Sequence, residues 1–137
     1  MDQADLPVVG VLSAELGYPV EAKGLSERFA VVSRSADDAL LVADEAGEVI
    51  GWVHVQSRTL LESEPSAELV ALVVSSTSRR GGVGKTLVDA CIGWARSRGL
   101  PRVRVRSNVT RIESHRFYPA IGFTLVKTSH LYELLLE

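Results

Sequence analysis

A strand, a glycine-rich loop and a helix follow one another in the middle of this chain, and this succession constrains its fold more than any other feature. Residues 67–75 predict a strand that is apolar on both faces apart from Glu68, which places it near the middle of a sheet. Three glycines follow within residues 79–84, and they open a helix with one apolar side, formed by Val83, Leu87, Ala90, Cys91 and Trp94. Backbone N–H groups converge at such a helix start, and glycines let an anion approach them. The unit therefore predicts an anion-binding site, and the alternative is a turn that only begins a helix.

The periodicity of the apolar residues predicts the remaining elements. Asp5 can cap a first helix that ends at Gly17, and a second helix places Leu25, Phe29 and Val32 on one face. The other predicted segments are a hairpin of strands 39–44 and 48–56, a polar loop over 58–65, a strand over 102–107, a short helix over about 110–118, and two final strands over 123–127 and 130–136. The 137 residues are within the usual length of one domain, so we expect a single domain, 1–137. Because helices and hairpins are mixed, its expected class is mixed α/β (α+β), with a central mixed β-sheet flanked by helices.

Composition and charge restrict where the chain works and what it meets. The longest apolar run, 69–74, is too short to span a bilayer, and residues 1–5 lack the basic start of a signal peptide. The chain has one cysteine, Cys91, and therefore cannot form an internal disulfide, so a cytoplasmic location is expected. Because Cys91 lies on the apolar side of its helix, it is interpreted as a core residue. Residues 1–78 carry 4 Lys and Arg against 13 Asp and Glu, whereas 79–137 carry 11 against 4. The basic second half favours an anionic partner, and the acidic first half favours a cationic one.

The glycine-rich loop ends in Gly84, Lys85 and Thr86, which is also the ending of a P-loop. A P-loop needs a glycine at position 79, where this chain has Arg79, and a later apolar strand that ends in an Asp for Mg²⁺. The next predicted strand ends in Ser107 and Asn108 instead. A P-loop nucleotide-binding protein is therefore the less favoured interpretation.

The same loop resembles the [Q/R]-x-x-G-x-[G/A] pyrophosphate loop of GNAT (GCN5-related) N-acetyltransferases, with matches at Arg79, Gly82 and Gly84. Residues 67–74 resemble the fourth strand of that family, and 117–123 resemble its F-Y-x-x-x-G-F signature. Ser107-Asn108 and the Gly51-Trp52 step are typical of the family as well. The first helix begins without the strand that precedes it in most members. The ordered set of matches covers nearly the whole chain.

The resemblance implies the GNAT acyl-CoA N-acyltransferase fold, in which two central strands, here around 72–75 and 105–108, splay apart at the cofactor site. Acetyl-CoA is the implied co-substrate, and its pantetheine arm would extend the sheet by bonding to main-chain groups of Leu72, Val73 and Val74. Its pyrophosphate would lie on the amides of the loop and helix start: Arg79, Arg80, Gly81, Gly82, Val83, Gly84 and Lys85. Asn108 would bond the cofactor arm, and the alternative is an asparagine that forms a turn.

The resemblance also implies two catalytic residues, Tyr118 and Glu68. Tyr118 matches the tyrosine that members commonly use as general acid, and a phenol remains protonated at neutral pH; the alternative is a core aromatic. Glu68 resembles the glutamate that the histone-type branch uses as base, and the alternative is a strand residue that faces water. His54, on the neighbouring hairpin strand, is the reserve base. The main-chain N–H of Val74 would polarise the thioester carbonyl.

The predicted activity is transfer of an acetyl group from acetyl-CoA to a primary amine, by direct attack in a ternary complex. The acceptor would be a small cationic molecule or a peptide or protein amine, selected by the first two helices, the 57–65 loop and the 127–130 turn. The alternative is a non-catalytic module that binds acetyl-CoA. Neither a metal nor nucleic acid is expected, because the histidines are scattered and the arginines of 102–106 lack interleaved aromatic residues. The last strand, apolar on both faces, predicts a homodimer.

Overall fold

The structure is a computed structural model that describes residues 1–79 and 81–137. The chain divides into two compact units, Met1–Arg106 and Ser107–Glu137. Within the described residues, no helix combines the length and apolar character needed to cross a membrane. The single domain expected from the sequence stays a prediction.

Three helices belong to the first unit. A short 3-10 turn, Gln3–Asp5, leads into α1 (Leu6–Glu15), which is followed by α2 (Ala22–Val32) and, after the strands, by α3 (Val83–Ser97). The predicted stop signals are confirmed: Gly17 and Gly99 lie just beyond α1 and α3 with φ of 90° and 69°, a left-handed conformation that glycine adopts without strain. The sequence therefore set the ends of these helices through single residues.

A four-stranded sheet forms the centre of this unit, in the order β1 (Asp38–Glu45), β2 (Glu48–Leu60), β3 (Ser63–Val74) and β4 (Val103–Val105). The first three strands are antiparallel neighbours, and β4 is parallel to β3. This mixed sheet with its helices confirms the predicted fold class. The β1–β2 turn consists of Ala46 and Gly47, both with positive φ, as a two-residue hairpin requires.

The second hairpin differs from the prediction. Residues 58–65 were expected to form a polar loop, but Arg58 pairs with Ser66 and Leu60 with Ser63, so that only Leu61 and Glu62 form the turn. Main-chain hydrogen bonds between two strands form whether or not the side chains are apolar. The pairing of β2 with β3 therefore extends beyond the apolar residues from which the strands were predicted.

The sheet has an apolar face, which packs against α3, and an opposite face, the polar face, on which a row of polar residues lies beside the apolar Trp52 and Val73. On the apolar face α3 contributes Leu87, Val88 and Cys91, and the sheet contributes Val53, Val55 and Leu69, all of them buried. A Cβ added at Gly51 would lie 3.1 Å from a methyl of Leu87, so glycine here allows α3 to approach β2 closely. The polar face, on the opposite side, carries one polar residue from each strand in a row: Asp38, Gln56, Glu68 and Arg104.

The second unit contains α4 (Ile112–Ala120) and an extended C-terminal segment. The two strands predicted for 123–127 and 130–136 are wrong: among the described residues, 123–137 form neither helix nor strand. Leu131 and Tyr132 are 95% and 88% exposed. An alternating apolar pattern makes a strand possible, but a strand forms only where a neighbour takes up its main-chain hydrogen bonds, and the sequence pattern does not specify that neighbour.

Candidate active site

The edge of β3 that follows its pairing with β4 is the first element of the candidate site. Among the described residues, β3 and β4 pair only over Ala67–Leu69 and Val103–Val105, yet β3 continues to Val74. A bulge in β3 at Val70, where the register with β2 shifts, marks the same point. Leu72, Val73 and Val74 therefore lie on a strand stretch that has β2 on one side and leaves its other edge open to β-strand addition.

The loop after β3 is folded by its own main chain. The amide of Ser78 donates to the carbonyl of Ser75 at 3.0 Å, and the amide of Gly81 donates to the carbonyl of Ser78 at 3.2 Å. The Arg79 guanidinium donates to the carbonyl of Val74 at 3.4 Å, which ties the loop to the end of β3. Arg80, which the sequence also assigned to this site, lies outside the described residues.

Gly82 is the N-cap of α3 and has φ of 80°, so its backbone is left-handed. Among the described residues, no side chain caps this helix, and none has an atom within 4 Å of a Cβ added at Gly82. The first amides of a helix have no partner within the helix. The sequence-predicted residues Gly82, Val83 and Gly84 form this helix start, where main-chain N–H groups can bind an anion, whereas the amide of Gly81 donates to Ser78.

Lys85, in the first turn of α3, forms an ion pair with Asp89 at 2.9 Å, and both side chains are exposed. Exposed ion pairs of this spacing contribute little to stability, roughly 0.3–0.5 kcal/mol. The pair would therefore open at small cost when a phosphate competes for the ammonium group.

Glu68 is held on the polar face by two guanidinium groups. Arg58 donates to one carboxylate oxygen at 2.6 Å, and Arg106 donates to the other at 3.1 Å. The side chain of Glu68 is only 13% exposed, whereas those of both arginines are more exposed. Each carboxylate oxygen accepts one of these hydrogen bonds and keeps a further lone pair, so the arginines hold Glu68 in place on the polar face. The role of base that the sequence suggested for Glu68 stays a prediction.

A second acidic group on the polar face was not predicted. Asp38 accepts hydrogen bonds from His54 Nε2 at 2.6 Å and from Gln56 Nε2 at 3.1 Å, and its side chain is 8% exposed. Burial alone would raise the pKa of Asp38, but hydrogen bonds from Ser35, His54 and Gln56 and the charge of His54 outweigh it and lower that pKa. The carboxylate is therefore ionised at neutral pH.

A bulge explains why sequence reasoning missed this pair. At the turn Glu45 is opposite Glu48, and an unbroken register would place Asp38 opposite Val55. The register shifts between Ala43 and Asp44, and this moves Asp38 opposite Gln56. A register shift of one residue moves every side chain of a strand to the opposite face of the sheet, and the local sequence does not predict such a shift.

Asn108 and Tyr118 belong to the second unit. The side-chain oxygen of Asn108 accepts hydrogen bonds from the amide and hydroxyl of Thr110, and its main-chain oxygen accepts one from Arg111, so this asparagine builds a turn. Its predicted contact with the cofactor arm stays a prediction.

Tyr118 packs edge-to-face against Phe117 and Phe123, with ring centroids 5.1 and 5.5 Å apart. Burial raises the pKa of Tyr118, and the positive charge of Arg111 acts in the opposite direction without cancelling the effect. The phenol is therefore protonated throughout the neutral range, as a proton donor must be. Its packing agrees equally with a core aromatic.

A cleft in the first unit, of about 670 Å³, lies between α1, the β1–β2 turn and the loop after β3. Its walls are apolar at Val8, Val11, Leu12, Val49 and Ile50, and they carry the carboxylates of Glu15, Glu45 and Glu48. Its size is typical of small-molecule sites. No group of residues suited to hold a metal ion occurs in the part of the chain that the structure describes.

Comparison with known proteins agrees with this geometry. The sequence profile of the acetyltransferase (GNAT) family matches residues 9–123. An aminoglycoside N(6')-acetyltransferase type 1 of Klebsiella aerogenes is 34% identical over 98 residues, which cover 69% of this chain and 64% of that protein. An uncharacterized N-acetyltransferase of Bacillus subtilis (strain 168) is 42% identical over 55 residues, covering 39% of each. The matched regions thus span less than two thirds of these curated relatives.

Solved structures share the fold. An aminoglycoside N-acetyltransferase in complex with CoA superimposes with a TM-score of 0.87 at 19% identity, over 98% of this chain and 91% of that one. At this level of identity the similarity establishes the architecture.

Proposed function

The chain belongs to the acetyltransferase (GNAT) family, and from that premise we propose that it transfers the acetyl group of acetyl-CoA to a primary amine. The observation that carries the proposal is the open edge of β3 leading into the uncapped start of α3. An extended arm with amide groups can pair with the open edge of β3, and a pyrophosphate can bind the main-chain N–H groups at the start of α3.

The residues present fit acetyl-CoA. Leu72, Val73 and Val74 would bind the pantetheine arm through their main chain, and the amides from Gly82 to Lys85 would bind the pyrophosphate. The left-handed Gly82 has room for a phosphate where any side chain would project. When bound, acetyl-CoA supplies an activated acetyl thioester. The protein then has to orient the amine, accept its proton and supply one to the departing sulfur.

Tyr118 is the proposed donor of the proton to sulfur. The phenol is held by two aromatic neighbours and stays protonated at neutral pH. Proton donation to the leaving group in the transition state contributes typically 10²–10⁴-fold to a rate. Glu68, which the family resemblance implies as base, accepts hydrogen bonds from Arg58 and Arg106 and stays a candidate for that role.

The proposed acceptor is a small cationic amine. One relative acetylates aminoglycosides, as its name states, and the cleft beside α1 combines apolar walls with three carboxylates. Glu45 and Glu48 are directly opposite each other in the hairpin, an arrangement of like charges that a cation between them would relieve. A peptide amine is the alternative acceptor.

Ligand-dependent melting and a transfer assay together test the proposal. At a hundredfold excess over its dissociation constant, acetyl-CoA should add about 2.7 kcal/mol and raise the melting temperature by on the order of 10 °C, whereas ATP with Mg²⁺ should not. Release of free thiol should then be measured across a panel of aminoglycosides, polyamines and basic peptides. Stabilisation without transfer to any amine would indicate a non-catalytic acetyl-CoA-binding module. A response to ATP alone would indicate a P-loop protein.

A further inference from the structure

His54 lies one strand away from the open edge of β3. It is directly opposite Ala71, and Ala71 belongs to the stretch of β3 that has run past its last pair with β4. Directly opposite residues in antiparallel strands have Cα atoms about 5 Å apart. The imidazole shares the polar face with Gln56 and Glu68, because alternate residues of a strand point to the same side.

Asp38 fixes which nitrogen of His54 can take up a proton. The distance from His54 Nε2 to Asp38 Oδ1 is 2.6 Å. An ionised carboxylate can only accept, so Nε2 must carry the hydrogen of this bond, and Nδ1 of the neutral imidazole is left with its lone pair. In the described part of the chain Asp38 is the only hydrogen-bond partner of this side chain. A buried carboxylate that orients a histidine in this way is the arrangement by which many enzymes prepare an imidazole base.

We propose that His54, oriented by Asp38, accepts the proton that the acceptor amine loses during acetyl transfer. The proposal rests on the proposed function. The amine nitrogen forms a bond to the acetyl carbon, the carbon–sulfur bond breaks, and the proton of the amine passes to Nδ1 of His54. The resulting imidazolium is stabilised by Asp38, and the thiolate takes a proton from Tyr118 or from water.

The surroundings of His54 favour it over Glu68 for this role. Each oxygen of Glu68 already accepts a hydrogen bond from a guanidinium group, whereas Nδ1 of His54 has no hydrogen-bond partner among the described residues. The charged residues on the neighbouring elements include Asp38 on β1, Glu68 on β3 and Arg104 on β4. Arg58 and Arg106 pair with Glu68, and Glu15, the only charged residue of α1, accepts from the amide of Ser76.

The pH dependence of kcat/KM separates a base from a structural histidine, once the amine panel has given an acceptor. His54→Gln can still donate to Asp38 but has no titratable group. We expect a 10²–10⁴-fold loss of kcat/KM and disappearance of the low-pH limb, with unchanged stabilisation by acetyl-CoA. Asp38→Asn should move the low-pH limb to lower pH, because the imidazolium loses its carboxylate partner.

Two further variants complete the design. Arg96→Gln, in the exposed last turn of α3, is the control and should behave as the wild type. Glu68→Gln should keep the low-pH limb at its wild-type position. If His54→Gln and Asp38→Asn retain the wild-type low-pH limb while Glu68→Gln loses it, Glu68 is the base and the inference is wrong. The proposed acetyltransferase function would be unaffected by that result. If His54→Gln does not fold, the displaced limb of Asp38→Asn decides alone. Absence of any thiol release by the wild type would contradict the proposed function itself.

Discussion

At the residue scale, Tyr118 combines the packing of a core residue with a phenol that stays protonated. The ring is packed between Phe117 and Phe123 as a core residue would be, and the same burial raises the pKa of its phenol, which keeps the proton available. A proton donor that is also a packing element can be tested by removing the hydroxyl alone.

Tyr118→Phe should lower kcat by 10²–10⁴-fold while the melting temperature stays nearly unchanged, since the ring still packs. In the wild type, the acid form persists past pH 10, the ordinary pKa of the phenol, because that pKa is raised in the fold. The high-pH limb of kcat should therefore lie above pH 10. Phe117→Leu, which disturbs packing without removing a hydroxyl, is the control. Wild-type turnover by Tyr118→Phe, under conditions where chemistry limits the rate, would make the tyrosine a core residue only.

Gly82→Asp should abolish the stabilisation by acetyl-CoA, because a side chain and a negative charge would occupy the proposed phosphate position. Gly99→Asp is the matched control, since Gly99 also has positive φ with open space around its Cβ position but lies at the other end of α3. Both variants should lose roughly 1 kcal/mol to backbone strain. Only Gly82→Asp should lose the ligand-dependent shift, and a shift retained by it would place the pyrophosphate elsewhere.

The two acidic residues of the polar face show how far individual residues can be predicted. Glu68 was found because it interrupts an apolar strand and resembles a family position, yet its two arginine partners come from β2 and from the end of β4. Asp38 was missed because its register depends on a bulge on the opposite strand. Contacts across a sheet depend on register, and register depends on bulges that local sequence does not reveal.

At the element scale, the packing of α3 on the sheet depends on Gly51. A Cβ there would lie 3.1 Å from Leu87 and from the carbonyl of Val73, and 3.2 Å from Val83, the first residue of α3. This glycine therefore sets the distance between the apolar face and the helix whose start forms the proposed phosphate site.

Gly51→Val should destabilise the protein by about 1–3 kcal/mol, because the added methyl groups overpack this contact. The melting temperature should fall by roughly 3–10 °C. Gly93→Ala is the control with the opposite sign: it lies inside α3, no atom is within 4 Å of its Cβ position, and alanine in a helix interior stabilises by about 0.5–1 kcal/mol. Equal melting temperatures for Gly51→Val and the wild type would show that α3 can shift without cost.

The predicted elements agree with the structure wherever a local signal set them. Glycines ended α1 and α3, and the two-residue turn at Ala46 and Gly47 fixed the first hairpin. The extension of β2 and β3 past the apolar pattern and the absence of strands over 123–137 were not predictable, because both depend on main-chain pairing between segments. Periodicity reports which side chains can be buried, and pairing decides which segments become strands.

At the scale of the whole molecule, the C-terminal segment exposes apolar side chains in series. Those more than four fifths exposed are Leu131, Tyr132, Leu134, Leu135 and Leu136. Contiguous exposed apolar groups of this kind are typical of surfaces that meet another protein.

We expect these residues to pair with a second copy of the chain, which makes the protein a homodimer. Sedimentation equilibrium should then give twice the 14.8 kDa chain mass at micromolar concentration. Replacing Leu131 and Leu135 by Glu should return the mass of a monomer, because the charges oppose burial of the segment. Replacing Val126 by Glu, outside the series, is the control. A monomer mass for the wild type at every concentration would contradict the dimer.

The order of the sheet also has a consequence for the way the chain folds. β1, β2 and β3 are joined by two-residue turns, whereas β4 reaches its place only after the whole of α3 has been traversed. Closing short loops costs less entropy than closing long ones, so we expect the three-stranded meander to form early and β4 to dock late. Until then the full length of β3 is an unprotected edge, open to the same edge of another nascent chain. A ligand that occupies this edge would act on the folding protein as a chaperone does, and refolding yield should rise when acetyl-CoA is present from the start.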